Sequence, residues 1–516
     1  MPRLKEPDSL KKIASKRLVN HLGSLAAEWM ESMLDSWKLE GDEWRNKNTL
    51  EVEIKSSELS TYISKLPDSV LRELFLDLLS EFSDQIEKFL DKIRDTKQEN
   101  PDCGNIELCP DICKEVMNIL LQPSILTLDF CHIPSKYSRQ LCFESLMRLE
   151  NITYLDLDTS SDSINNWERE FSITVCHLVN LEVLVFIKGC TNRVIRSLGL
   201  HCPRMKKLNV RNSMLVNNAS IRYLQLLRHL SFLDVSNTKI TVYAYSNLLK
   251  SIPGITNLTW SKNIDNLLRT IDVKITKKLD ECDCKIASPN LFAEHCPNLT
   301  NLSLVNINCD LSALASLENL KSVTLTDFDY NTCNTTNFFL TSGCKLRQIT
   351  LRRCRYLQIQ DVILNCSKVE DLDISSCQFS QAENFTDITP SILPHFKSVK
   401  NLWLAKNMLS LSYLRQIGFY VNLVSITIVG EDDMTDYIVR DAVEIPASRG
   451  GLKKLVMFAA IYCEQLTMDT VWNLVAFCDR LEMISSLERW GGVTRDDFVK
   501  FKEFAKELNL AVVISW

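Results

Sequence analysis

The chain has 516 residues, 45% hydrophobic and 24% charged, with a formal net charge of -6. That length exceeds what one ordinary core organises, so several domains or an extended repeat array are expected. The acidic balance argues against a general binder of nucleic acid or anionic membrane. The first ten residues are polar and lack the apolar centre of a secretory signal. No window approaches ~18 uninterrupted apolar residues, so a membrane span is not expected and the setting reads as cytoplasmic or nuclear. The 19 cysteines are odd in number and many recur at one place in a pattern, so reduced, buried thiols are expected rather than disulfides.

Residues 1–120 do not repeat and are helical in pattern. Asp8-Ser9 offers an N-cap, and Leu10, Ala14 and Leu18 follow at i, i+4 and i+8, forming one apolar stripe widened by Ile13 and Leu22. Lys11, Lys12, Lys16 and Arg17 lie mainly off that stripe. After a long stretch carrying Trp37 and Trp44, a second helix opens at Leu66-Pro67, with proline in the first turn where its missing N–H costs nothing. Leu66, Val70 and Leu74 share a face of it, beside Leu71 and Leu78.

Residues 121–516 read as a repeat array of about 14 copies. The kernel is apolar-x-x-apolar-x-apolar, as in Ile152-Thr-Tyr-Leu155-Asp-Leu157, Met205-Lys-Lys-Leu208-Asn-Val210 and Leu346-Arg-Gln-Ile349-Thr-Leu351. Further copies open at Val369, Val399, Leu423, Leu452 and Leu481, and a weaker first one at Ile125. They recur about every 27 residues, the spacing of leucine-rich repeats. The last two apolar residues of a kernel are two apart and so face one side of a short strand, while the segments between kernels carry helical spacing. The expected fold is therefore α/β: a leucine-rich-repeat solenoid behind an N-terminal helical domain. Residues 261–294 break the period and are expected to form an irregular insertion. The Cys282-Asp-Cys284 sequence within it has no paired Cys or His set at a metal-site interval, so neither a metal nor a cofactor is expected.

Cys202, Cys296, Cys344, Cys366 and Cys478 stand just before kernels, and Cys354 and Cys377 three residues past them. This resembles the cysteine-containing leucine-rich repeat found in intracellular ubiquitin-ligase receptors. The N-terminal stretches, together with that array, resemble the VHL box of cullin-RING substrate receptors and are similar to the Zyg-11 and Zer-1 group. In that family a BC box, leucine-x3-cysteine or small-x3-apolar, inserts into elongin C, and an apolar-proline-x2-apolar-x3-apolar box contacts cullin-2. Leu10, Ala14 and Leu18 match the first pattern, and Leu66, Pro67, Val70 and Leu74 the second. The departure from the family is the long stretch of residues 30–57 between them. The resemblance implies elongin C and cullin-2 as partners and a protein substrate on the repeats.

Leu66 to Phe75 also resembles the opening of an F-box, which would imply an F-box adaptor and cullin-1. The cysteine and tryptophan usual about 25 residues later are missing from residues 89–97. A scaffold unconnected with ubiquitin, whose helices simply cap the array, is a third reading. On any of them the substrate contacts are the strand positions between buried residues: Asp156, Asn209, Asp234, Thr259, Ser303, Thr324, Thr350, Asp373 and Trp403. Trp403 is the expected anchor, whereas Trp260 occupies an apolar kernel position and is expected in the core. No phosphate-binding, dinucleotide, metalloprotease or serine-hydrolase motif is present, and catalysis is not expected.

Overall fold

In the computed structural model the described residues are 10–40, 58–99, 109–133, 135–158, 168–380, 398–406, 417, 420–431, 433–444, 452–508 and 510–515. They fall in two compact units, divided between Ile255 and Thr256. Each is α/β and built on a parallel sheet.

The first unit opens with helices α1 (Leu10–Glu40), α2 (Glu58–Lys65), α3 (Asp68–Glu99) and α4 (Cys109–Leu120). Helix α1 buries Val19, Leu22, Ala26 and Met30, and α3 buries Leu71, Phe75, Leu78, Phe82, Ile86, Phe89 and Ile93. Steps of three and four residues put each set on a single stripe, and the two stripes share a core. Strands β1 (Thr127–Asp129), β2 (Tyr154–Asp156), β3 (Val183–Val185), β4 (Lys207–Asn209) and β5 (Phe232–Asp234) follow. They pair in chain order, every pair parallel.

The second unit repeats the plan over β6 (Asn257–Asn263), β7 (Glu281–Lys285), β8 (Asn301–Ile307), β9 (Ser322–Asp329), β10 (Gln348–Arg355) and β11 (Asp371–Ser375). It continues through β12 (Asn401–Ala405), β13 (Ser425–Val429), β14 (Met457–Ile461), β15 (Met483–Ser485) and β16 (Val513–Ile514). All eleven again pair in chain order. Register is held by the kernels: Leu258, Cys282, Leu302, Val323, Ile349, Leu372, Leu402, Ile426, Phe458 and Ile484 face one another across successive strands. All ten are buried, each such side chain contributing about 1.5–3 kcal/mol of hydrophobic stabilisation.

Two further positions recur. Three residues before most kernels the chain leaves its helix or turn through a buried residue, such as Leu178, Cys202, Leu227, Ile252, Cys296, Leu317, Cys366 or Cys478. The Cys202 thiol donates there to the carbonyls of Val175 and Leu178, one repeat earlier. Two residues after most kernels the backbone turns left-handed, at Lys188, Asn212, Asn237, Asn306, Asp327, Arg353, Ser376, Lys406, Gly430 and Tyr462. That turn ends the strand's alternation and drives the next residue into the core: Ile307, Phe328, Cys354, Cys377 and Cys463 are all buried.

Three expectations are corrected. Residues 261–294 are no irregular insertion, because Leu279, Cys282 and Cys284 form a kernel, all buried, whose strand β7 pairs with β6 and β8. The late kernel expected at Leu452 opens at Leu455, since Phe458 and Ala460 pair with Ile426 and Ile428. Leu452 fills the buried position three residues earlier. Small Ala460 hides this in the sequence, and its carbonyl receives the buried Trp490 indole N–H at 2.7 Å. Cys344, grouped with the cysteines that precede kernels, is exposed. Gly343 takes the tight place, where a Cβ would meet the Asn365 carbonyl oxygen at 2.8 Å.

The β7 kernel gives a direct test. Cys282→Ser buries a hydroxyl in an apolar row and is expected to cost about 1–3 kcal/mol in urea denaturation. Glu281→Ala, on the exposed face of the same strand, stays within about 0.5 kcal/mol. Equal midpoints for the two variants would return residues 261–294 to a loop.

Candidate functional site

Between the buried residues of each strand one side chain projects from the opposite face of the sheet, and these form a continuous row in each unit. In the second unit Thr259, Asp283, Ser303, Thr324, Thr350, Asp373, Trp403 and Thr427 are paired in that order across β6 to β13. In the first unit Asp129, Asp156, Val185, Asn209 and Asp234 do the same across β1 to β5. Ser303, Thr324, Thr350, Asp373 and Trp403 thus lie in one row.

Asp234 departs from its expected place and is buried at 7% exposure. Its Oδ1 accepts from the backbone N–H and hydroxyl of Ser236, folding the carboxylate onto its own turn. Thr259 is also buried, as is Trp260 behind it. Asp156 is half-buried, and burial followed by the neighbouring Asp129 and Asp158 holds its carboxyl above the usual range despite the Asp158 backbone N–H that it accepts.

Trp403 is the widest element of the row, 45% exposed between Asp373 and Thr427. It borders a groove of about 390 Å³ that Thr324, Thr350, Asp373 and Thr427 also line. The groove floor is held still by hydrogen bonds. Asp373 accepts from the Arg352 guanidinium at 2.8 Å and from the Ser375 hydroxyl at 2.6 Å. Asp371 accepts from Gln348 at 2.8 Å and from Asn401 at 2.6 Å. A rigid indole among prearranged polar groups is the usual make-up of a protein-binding hot spot.

Beside it, at the left-handed turns, a second depression of about 760 Å³ is lined by Asn306, Asp327, Asp329, Arg353, Arg355 and Ser376. The Arg353 guanidinium reaches both oxygens of Asp327. Its hydrogen bonds hold the Asp327 carboxyl below the usual range. Sequence reading missed this pair, because both residues stand past the kernel where the strand alternation no longer applies.

At the N-terminus, Leu10 is the first residue of α1, and its side chain lies outside the described residues, as do residues 41–57. Ile13 and Ala14 are exposed and Leu18 is half-buried, while the opposite side of the helix faces α3. In the second motif Pro67 is exposed and Leu66 and Val70 are half-buried. Leu74 is a correction: at 4% exposure it belongs to the chain's own core, in the stripe with Leu71 and Leu78. Helices α1 and α3 run parallel. Gly23 of α1 sits against Glu81 of α3, and further along both helices Glu31 pairs with Lys92. Their N-terminal ends, carrying Ala14 and Leu18 on one and Pro67 and Val70 on the other, therefore stand at one end of the pair.

The described cysteines form no disulfide. Burial pushes the thiols of Cys202, Cys296 and Cys478 up to about 12, so they remain neutral packing groups rather than nucleophiles. No described helix is long and apolar enough to cross a membrane.

No family model matches this chain, and no curated protein matches its sequence. Among solved structures, a leucine-rich-repeat protein of Leptospira interrogans is similar over 79% of this chain and 92% of its own, at 13% identity and a TM-score of 0.27. A chain in the structure of the Rad7 and Elc1 complex in yeast is similar over 67% of this chain and 80% of its own, at 14% identity and a TM-score of 0.35.

Because the folded carboxyl of Asp327 lies below its unfolded value, the ion pair contributes stability above about pH 3.9 and loses it as pH falls through the folded value. The pair is partly solvated, so its worth is about 0–1 kcal/mol. Asp327→Asn should melt slightly below wild type, by the same margin at pH 7 and at about pH 5, with the gap closing only below ~3.9. Calorimetry that finds no gap at pH 7 rules out a stabilising role for the pair.

Proposed function

We propose that this chain is the substrate receptor of a cullin-RING ubiquitin ligase, with its N-terminal helices on elongin C and cullin-2 and its repeats holding a protein substrate. The observation that carries the proposal is the parallel packing of α1 and α3. Two stretches about 50 residues apart in sequence, each matching one half of a VHL box, stand at the same end of one helix pair. The apolar and small residues that an adaptor would take, Ile13 and Ala14, lie outside the chain's own core. Leu66, Pro67 and Val70 would supply the cullin contact, without Leu74.

In this reading the chain performs no chemistry and needs no cofactor. It raises the effective concentration of a substrate lysine near the charged conjugating enzyme and fixes its orientation. The row from Ser303 to Trp403 is the surface offered to that substrate, with Trp403 as anchor.

A pull-down of the full chain beside Leu10→Ser and Ala14→Arg, probed for elongin C and for the F-box adaptor, tests it. Ala14 is exposed, so its arginine variant should keep the wild-type circular dichroism spectrum. Elongin C should be retained by wild type and lost from both variants. Retention of the F-box adaptor instead assigns the docking to Leu66–Phe75 and a different ligase, and retention of neither removes the ubiquitin reading. Once a substrate is in hand, Trp403→Ala should weaken its binding roughly thirty-fold, the scale of an anchor residue. An unchanged affinity would move the substrate site off this row.

A further inference from the structure

The first repeat ends in a group that neither the packing nor the proposed docking uses. Strand β1 closes on Asp129 and passes directly into a single 3-10 turn, Phe130–His132. Phe130 is buried, and the turn throws the next two side chains, Cys131 and His132, outward. The Asp129 carboxylate caps the turn by accepting the Cys131 backbone N–H at 2.8 Å. Its other oxygen lies 3.6 Å from His132 Nε2. One carboxylate oxygen, one thiol sulfur and one imidazole nitrogen therefore all lie within 4.8 Å of one another, on a backbone already fixed by the cap.

We propose that Asp129, Cys131 and His132 bind a divalent transition metal of the zinc class. Donor set, distance and charge all favour such an ion at this place. Thiolate and imidazole with one carboxylate suit zinc and its neighbours, whereas calcium and magnesium require oxygen cages. Metal–ligand bonds of about 2.0–2.3 Å place tetrahedral donors roughly 3.3–3.8 Å apart, so the set needs to contract by only about 1 Å, within reach of exposed side chains turning about χ1 and χ2. Asp156 is paired with Asp129 across the adjoining strand, and Asp158 follows it, its N–H bonded to the Asp156 carboxylate. Among the described residues no lysine or arginine pairs with any of these three carboxylates. A cation at this point relieves that repulsion.

Binding is a ligand exchange: the Cys131 thiol gives up its proton to solvent, the sulfur donates its electron pair to the metal, and no oxidation state changes. Three protein ligands leave a fourth position for water, and the site lies at the edge of the first unit's projecting row.

The test uses the full chain with Co²⁺ or Zn²⁺ as the only added ligand. Titration with Co²⁺ should give one equivalent per chain and a thiolate-to-cobalt charge-transfer band that Zn²⁺ abolishes. Cys131→Ser should remove the band, and His132→Ala should weaken Zn²⁺ at least ten-fold in competition with a chromophoric chelator. Cys131 and His132 are exposed, so both variants should fold as wild type does. Cys282→Ser serves as control and should leave the band unchanged. A band that survives in Cys131→Ser, or binding that His132→Ala does not alter, overturns the proposal.

Discussion

Strands of two to eight residues cannot stand alone, and nearly everything in this chain follows from that limit. A strand this short leaves its backbone donors and acceptors on both edges unpaired and exposes its apolar row. Parallel pairing with the copies before and behind removes both penalties together. The connection between parallel strands must then cross back over the sheet, which is why a helix or 3-10 turn intervenes in almost every repeat. Face and back are separated by this geometry: one is packed with kernel leucines and helices, while the other is left for polar side chains that packing does not dictate. Trp403 stands out because it occupies a position where nothing in the fold requires an indole.

Most repeats also leave their strand at the same point, and the left-handed residue after the kernel makes that exit. Glycine occupies it once, at Gly430, and the other occupants are polar, aromatic or basic. Asparagine and aspartate tolerate the conformation through local hydrogen bonds, but Lys188, Arg353, Lys406 and Tyr462 do not have that excuse. Their backbone cost is met by the ladder on both sides. It leaves long side chains leaning over the end of the sheet, where Arg353 finds Asp327.

The repeats were legible in sequence because leucine, isoleucine and valine at kernel spacing are difficult to produce by chance. Legibility failed where the same packing is achieved with other residues. Cys282 and Cys284 fill leucine sites, and Ala460 leaves space that Trp490 enters from another repeat. Outward positions could be read from alternation, but not their surroundings, so the burial of Asp234 beneath Ser236 was invisible. The Asp129, Cys131 and His132 group has no spacing signature at all, since it depends on a turn that aims adjacent residues to one side. The approach of the two N-terminal motifs depends on the helices being parallel, which spacing does not encode.

Of the cysteines described, only Cys131 and Cys344 are exposed. The buried ones are distributed from α4 to the repeat that contains Cys478, several of them hydrogen-bonded to the carbonyl of a preceding copy. A thiol reagent can reach such a sulfur only when its repeat has parted from its neighbour. The chain thus carries its own series of opening reporters: the order in which its cysteines become alkylated records the order in which the stack comes apart, copy by copy, without any label having to be introduced.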